Sequence, residues 1–260
     1  MTALPALFIS HGSPMIAITE TPASLFLKGL AQDLPRPEAI LCVTAHWETP
    51  EPALSAAARP GMIYDFYGFP EHLYRLDYPA PGAPELAGSA QTLLADAGFA
   101  AAGNPERGFD HGAWVPLQLI YPAAEIPVVQ LSVQPGRDPA HHLAVGRALR
   151  PLREEGVLIL GSGNITHNLR EFRGQTVDAA PETWARDFAE WIASAVAEDR
   201  VEDLLAYRDR APAAARNHPS EEHFLPFFVA LGAATEGTPG RRLHASMEHA
   251  VLSMDAYAFA

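Results

Sequence analysis

Short apolar runs rich in β-forming residues alternate along this chain with longer helix-like stretches, and this alternation limits the possible folds more than any other feature. Each run is flanked by Gly, Pro or polar residues, and several helix-like stretches have Pro in the first turn, where its missing N–H costs nothing. The expected strands are residues 6–9, 39–44, 126–133 and 157–160, and the expected helices are residues 22–34, 84–97, 139–155 and 181–197. The alternation predicts an α/β fold with a central, mostly parallel or mixed sheet flanked by helices.

The length of 260 residues permits one large core or two small ones, and we expect a single domain over residues 1–260. Asp138 is expected to cap the third helix, and Gly156 is expected to end it. Residues 243–259 lack a strong helical period and are expected to add antiparallel strands at one edge of the sheet. Residues 58–83 are dense in Pro, Gly and Tyr, which predicts a long structured loop of the kind that often forms a binding wall or a lid.

Charge and cysteine content exclude several classes of protein. The formal net charge is −13 with only 18 Lys and Arg residues, so nucleic acid is not an expected partner, because phosphate binding needs clustered basic groups. Cys42 is the only cysteine and lies in an apolar run, which predicts a buried thiol in a reducing compartment. The N-terminus lacks the features of a signal peptide, and no apolar run approaches the ~20 residues of a membrane span. We therefore expect a cytoplasmic protein without a membrane partner, either a monomer or a small homo-oligomer.

Histidines follow the ends of three expected strands. His11 comes directly after the first strand, His46 directly after the second, and His167 follows the last strand and the Gly-rich turn GSGN. Ligands of open α/β sheets bind at the carboxyl ends of the strands, so these imidazoles are expected near one crevice. GSGN does not complete a dinucleotide-binding GxGxxG, because Thr166 stands in the position of the third glycine.

Two further histidines have suggestive surroundings. His111 lies in the turn GFDHG, where Asp110 either orients the imidazole or caps the turn. His223 lies in SEEHFLP, where Ser220 is expected to cap a helix that carries His223 near its first turn. Imidazole binds Zn, Fe, Cu and Ni, and a set of three protein ligands with an open position is typical of a catalytic metal site. Cysteine pairs and HExxH are both absent from the sequence, so any such site is assembled from distant loops.

Seven segments in order along most of the chain resemble the class III extradiol dioxygenases. The similarity is to the 4,5-DOPA dioxygenase-like subgroup of the protocatechuate dioxygenase β-subunit (LigB-like) superfamily. The matching segments are FISHGSPM (8–15), LPRPEAILCVTAHW (34–47), YDFYGFPEHLYRLDYPAPG (64–82), GFDHGAW (108–114), IPVVQLSV (126–133), GSGNITHNLR (161–170) and SEEHFLP (220–226).

The resemblance implies that His11, His46 and His223 bind one non-haem metal ion. It further implies that His167 is the acid/base residue and that His111 contacts the substrate. More distant relatives use a Glu as third ligand, which leaves Glu222 as an alternative to His223, although the closer subgroup favours the histidine.

The activity implied by the resemblance is the ring opening of a catechol by O₂ at Fe(II). The same three imidazoles suit Zn(II), so a zinc-dependent hydrolase is an alternative, and a non-enzymatic binding protein of the same superfamily is another. In the loop 58–83, four aromatic residues either form a wall for a substrate ring or pack under the loop: Tyr64, Phe66, Tyr67 and Phe69.

Overall fold

A computed structural model describes residues 3–260 of the protein. Its strands are β1 (Ala6–Ser10), β2 (Ala39–Glu48), β3 (Ala53–Ser55), β4 (Ala102–Asn104), β5 (Val128–Val133), β6 (Val157–Gly163), β7 (Arg241–His244), β8 (Met247–Glu248), β9 (Leu252–Ser253) and β10 (Ala256–Phe259). Its α-helices are α1 (Pro22–Leu30), α2 (Pro84–Asp96), α3 (His111–Ile120), α4 (Pro139–Leu149), α5 (Thr183–Ala197), α6 (Val201–Leu205), α7 (Tyr207–Arg210), α8 (Ala214–Asn217) and α9 (Leu225–Gly232).

Eight strands form one mixed sheet in the order β4-β3-β5-β2-β6-β1-β10-β7, and β8 and β9 form a separate small hairpin. The four central strands β5, β2, β6 and β1 are mutually parallel, whereas β10 pairs antiparallel with β1 and with β7. The carboxyl ends of β1, β2, β5 and β6 therefore lie along one edge of the sheet. The expected α/β class is confirmed, and so are the antiparallel strands that the C-terminal segment adds.

The sheet separates two apolar layers, because successive side chains of a strand point to opposite faces. Along β2, Leu41 and Val43 pack into the layer with α2, α4 and α9, while Ile40 and Cys42 pack into the layer with α1 and α3. Cys42 is buried, as expected. Within residues 3–260, no helix is both long enough and apolar enough to cross a membrane.

Helices α4 and α9 touch through their backbones at two glycines. A methyl group on Gly146 would lie 2.1 Å from the carbonyl oxygen of Val229, and one on Gly232 would lie 2.0 Å from that of Leu143. The two helices can approach this closely only because neither position carries a side chain. Helix α9 also packs directly against β6 and β1 of the sheet, immediately after the segment that contains His223.

Several element boundaries differ from those expected, and the differences concern the predicted site. His46 lies inside β2 rather than after it, because the strand runs to Glu48. His111 is the first residue of α3 rather than part of a turn. His223 precedes α9, which begins at Leu225, so the expectation that Ser220 caps a helix containing His223 is wrong. The expected helix 139–155 ends as an α-helix at Leu149 and continues in a 3₁₀ turn, after which Gly156 adopts a left-handed conformation, as expected of a terminator.

Candidate metal centre

The five predicted histidines lie around one cavity at the carboxyl edge of the central strands. His11 follows β1, and His167 follows β6 by four residues. His46 lies where the pairing of β2 with β5 slips, since Val43 pairs with Leu131 and Glu48 pairs with Val133. Such irregularities redirect side chains and are common beside active sites. The parallel sheet thus brings together side chains that are distant in the sequence.

Three imidazoles converge on a common point. The ligand nitrogens of His11, His46 and His223 all lie within 4.8 Å of one another. The Nε2 atoms of His11 and His46 are 3.0 Å apart, and the ring centroid of His223 lies 5.5 Å from that of His11 and 4.8 Å from that of His46. His11 and His223 are buried, and His46 is mostly so.

The Nδ1 atom of each of these imidazoles faces an oxygen. The Ser162 hydroxyl donates its hydrogen to the Gly112 carbonyl oxygen at 2.5 Å, so its oxygen accepts from His11 Nδ1 at 3.0 Å. His223 Nδ1 donates to Glu222 at 3.0 Å, and His46 Nδ1 lies 3.4 Å from Asp65 Oδ2. With the ring proton on Nδ1, the lone pair of each neutral imidazole is on Nε2.

Electrostatics keep these three rings neutral. Burial, reinforced by repulsion among the histidines, lowers the pKa of each of His11, His46 and His223 well below the usual value for histidine. The lone pairs on the Nε2 atoms of His11 and His46, which are 3.0 Å apart, repel each other, and a cation bound between them would attract both. The donor set therefore fits a divalent transition metal, with oxygen partners on the outer nitrogens of the kind that commonly orient metal-binding histidines.

Two other groups of side chains are close enough to hold an ion. One is His46, Asp65 and His111, and the other is His167, Glu222 and His223. In both groups the carboxylate already accepts from an imidazole Nδ1. Glu222 also accepts from the Ser220 hydroxyl at 3.2 Å. Glu222 thus orients the His223 ring through Nδ1, and Nε2 of His223 faces the point on which the three imidazoles converge.

Asp65, rather than Asp110, orients His111. Oδ1 of Asp65 accepts from the backbone N–H of His111 at 3.0 Å and from its Nδ1 at 2.9 Å. Burial works to raise the pKa of Asp65, but the hydrogen bonds and charge of His111 outweigh it and bring the pKa to about 2. Asp110 instead caps α3 at the N–H of Ala113, and its oxygens also bind Thr44, Gln130 and Arg107. Of the two alternatives for Asp110, the capping role is the one observed.

His167 lies flat against one of the three converging imidazoles. Its ring is stacked on that of His223, with centroids 3.4 Å apart and planes 11° apart. Burial, together with repulsion from His111, lowers the pKa of His167 to about 4. At neutral pH this imidazole is uncharged, so it is able to accept a proton.

The cavity has a volume of about 620 Å³, which is within the range of small-molecule sites. Phe66, Tyr67 and Phe69 line it, whereas Tyr64 turns away and donates its hydroxyl to the Leu76 carbonyl oxygen. The wall that the loop was expected to supply is thus formed by three of the four aromatic residues singled out from the sequence. Tyr67 is 91% exposed and lies at the rim.

Four cavity or supporting residues were missed from the sequence: Asp65, Ser162, Asn164 and His249. Asp65 lies in the matched segment 64–82, and its position as the one acid in the aromatic run YDFYGF (64–69) is a signal that pointed to it. Asn164 Oδ1 accepts from the N–H of Gly12 at 3.1 Å, and its buried Nδ2 has no protein partner in the described chain.

Comparison with known proteins gives a consistent family assignment. Residues 5–260 match the family model described as the catalytic LigB subunit of aromatic ring-opening dioxygenase. The chain is 44% identical over 256 residues to the 4,5-DOPA dioxygenase extradiol of Beta vulgaris, with 97% of this chain and 95% of that protein covered. It is 41% identical over 235 residues to the protein of the same name in Escherichia coli K12, with 89% and 86% covered.

A solved structure supports the same assignment. The crystal structure of an uncharacterized protein from Escherichia coli K12 superimposes with a TM-score of 0.83 at 34% identity, covering 99% of this chain and all of that one. The chain therefore belongs to the LigB family of aromatic ring-opening dioxygenases, and it is an extradiol dioxygenase that uses a metal cofactor.

Proposed function

We propose that this protein opens the ring of a catechol with O₂ at a single Fe(II) ion bound by His11, His46 and His223. The observation that supports this most directly is the convergence of three neutral imidazoles, each with an oxygen on Nδ1 and a lone pair on Nε2. When bound, Fe(II) supplies Lewis acidity that favours loss of the phenolic protons, together with the redox capacity for reaction with O₂.

His167 is proposed as the acid/base residue. Its neutral imidazole lies against His223 and lines the cavity, so it is placed to take a phenolic proton from a substrate seated there. The low pKa of this buried ring makes the protonated form a strong acid, which favours return of the proton in a later step.

His111 is proposed to contact the substrate or dioxygen. Asp65 occupies its Nδ1, so Nε2 is the atom available for a hydrogen bond in the cavity. The backbone N–H of His111 binds the same carboxylate oxygen, which fixes the start of α3 to the loop that carries Asp65. Asp65 acts through these contacts as a positioning residue.

The proposed substrate is a catechol with a side chain, of the DOPA type named for the relatives from Beta vulgaris and Escherichia coli. Three aromatic residues of one loop line the cavity, and their rings suit stacking or edge contact with a substrate ring. The volume of the cavity leaves room for a substituent beyond the ring. Fe(II) is the proposed working metal, while Zn(II) is expected to occupy the same three imidazoles without supporting reaction with O₂.

The test is oxygen uptake by protein loaded anaerobically with one equivalent of Fe(II) and then given O₂ and a catechol. We expect one O₂ consumed per catechol, with a yellow ring-opened product. A matched sample loaded with Zn(II) is expected to consume none. Full Fe(II) occupancy without oxygen uptake for any catechol would overturn the proposal and would favour a binding protein or a zinc hydrolase built on the same site.

We further propose that residues 1–260 act as one catalytic domain, that the protein works in the cytoplasm, and that it is a monomer or a small homo-oligomer. The single mixed sheet supports the first point, and the single buried thiol is consistent with the second. Light scattering coupled to size exclusion measures the oligomeric state directly.

A further inference from the structure

The hairpin of β8 and β9 carries an uncommon backbone conformation at its turn. His249 and Ala250 are consecutive and both have positive φ, 52° and 64°, although neither is glycine. A non-glycine residue in this region is disfavoured, and such strain persists where the surrounding structure enforces it, often at a functional site.

The strained turn places the His249 ring on the wall of the cavity that contains the five other histidines. Its Nδ1 donates to the carbonyl oxygen of Gln175 at 2.9 Å, and its backbone N–H donates to that of Val177 at 3.1 Å. Phe172 meets the ring edge-on, with centroids 5.1 Å apart. The ring is therefore held by two contacts and its backbone by a third, and the contact with a carbonyl oxygen, which only accepts, fixes the proton on Nδ1.

Among residues 3–260, the hydrogen bond from Nδ1 is the one that the His249 side chain makes, so Nε2 has no protein partner there. In the neutral ring it carries a lone pair, so it accepts a hydrogen bond from whatever occupies this part of the cavity. His249 also lies among apolar rim residues, Leu169 and Phe172, which are 60% and 45% exposed. This combination of apolar surface with one acceptor suits the substituent of a substrate better than its reacting oxygens.

The charge of the cavity wall and of the whole chain indicates which substituent of the catechol binds here. None of the side chains that line the cavity in the described part of the chain is Lys or Arg, and Asp65 is the one carboxylate among them. The whole chain has a formal net charge of −13. Once a bound divalent metal and a deprotonated catechol offset each other's charge, Asp65 is the charge that remains at the cavity wall, so the local field, like the overall one, favours a cation and disfavours an anion.

We propose that His249 is a specificity-determining residue whose Nε2 accepts a hydrogen bond from an ammonium group on the side chain of the catechol. The inference builds on the proposed function, since it assigns the substituent of the substrate that the same site opens. It predicts preference for catechols with an amino group on the side chain over those with an uncharged or anionic one.

The test is anaerobic calorimetric titration of the Fe(II)-loaded protein with three catechols that share the ring: 2-(3,4-dihydroxyphenyl)ethylamine, 4-ethylcatechol and 3-(3,4-dihydroxyphenyl)propanoate. Hydrogen bonds to charged groups predict that the amine binds about tenfold more tightly than 4-ethylcatechol, and that the propanoate binds no better than 4-ethylcatechol. Equal affinity for the amine and 4-ethylcatechol, tighter binding of the propanoate, or no binding of any of the three would overturn the inference.

Variants then assign the preference to one side chain. His249→Phe is expected to abolish the advantage of the amine and to leave the affinity for 4-ethylcatechol unchanged, while His249→Gln, which keeps an acceptor, should retain part of it. His72→Phe, a change at an exposed residue outside the cavity, is the matched control and should behave as wild type. An equal loss of affinity for all three catechols in His249→Phe would indicate a structural role and contradict the inference.

Turnover separates this inference from the proposed function. 4-Ethylcatechol carries no ammonium group, so its ring opening tests the metal-dependent reaction alone. Ring opening of 4-ethylcatechol without any preference for the amine would refute the role of His249 and leave the proposed function intact. Preferential binding of the amine without oxygen uptake from any catechol would support the role of His249 and refute the proposed function.

Discussion

Replacing Asp65 with Asn is expected to weaken the site without unfolding the protein. The carboxylate serves two imidazoles, with Oδ1 on Nδ1 of His111 at 2.9 Å and Oδ2 facing Nδ1 of His46 at 3.4 Å. An amide has a single oxygen, so in either orientation of the substituted side chain its NH₂ group faces an imidazole N–H, and one of the two rings loses its acceptor.

The size of the effect follows from those contacts. Leaving one buried donor without a partner costs about 1–3 kcal/mol, and the hydrogen bond that remains loses its charge assistance. Residues that orient metal-binding histidines typically change metal affinity or activity by about 10–100-fold when mutated. We therefore expect Asp65→Asn to lower kcat or metal affinity by about 10–100-fold.

The assay combines steady-state oxygen uptake with the metal content of the purified protein and its thermal midpoint. Asp77→Asn, a change at an exposed residue of the same loop, is the matched control and should leave all three unchanged. The reasoning would be refuted if Asp65→Asn kept wild-type kcat and metal content. It would also be refuted if the variant lost activity only in proportion to a general loss of stability.

Three other predictions follow from single contacts. His167→Gln should keep stoichiometric metal, measured by elemental analysis, and lose about 100-fold or more in kcat, because a general acid/base is worth about 10²–10⁴-fold; loss of the metal itself would contradict this role. Burial lowers the pKa of His142 to about 4 in the folded protein, below its value of about 6.5 in the unfolded chain. Between about pH 6.5 and about pH 4 the unfolded chain therefore binds more protons than the folded protein, and the free energy of unfolding falls as the pH drops through this range. In metal-free protein, His142→Gln should reduce the difference in unfolding free energy between pH 7 and pH 4.5 by about 2.5 kcal/mol in urea titrations, and an unchanged difference would refute the linkage. Gly146→Ala should destabilise the protein by about 1–3 kcal/mol or more, since its methyl group meets the Val229 carbonyl oxygen. Gly88→Ala, in an open helical position, should instead stabilise by about 0.5–1 kcal/mol, and equal effects of the two glycine changes in thermal unfolding would contradict the packing argument.

The sequence predicts the sheet and its edge well because both depend on local patterns. The apolar runs that became β1, β2, β5 and β6 are short and bounded by turn residues, and their parallel arrangement follows from the helices between them. That arrangement is sufficient to predict that His11 and His46 lie near each other.

Other features depend on tertiary contacts that no local pattern reports. Helix α9 is buried all round, so it lacks the polar face that gives a helix its period, and its start after His223 was not foreseen. Asp65 reaches His111 across 46 positions, and Ser162 reaches His11 across 151. His249 lines the cavity only because a hairpin turn adopts a conformation that its residues disfavour.

Crystallography of the metal-loaded protein with anomalous scattering is the most direct test of whether one metal ion binds to the Nε2 atoms of His11, His46 and His223. We expect a single anomalous peak about 2.0–2.2 Å from all three nitrogens, and we expect that peak to be lost when any one of these histidines is replaced by Ala. A peak between Asp65 and His111, or between Glu222 and His167, would contradict binding of the metal by these three histidines.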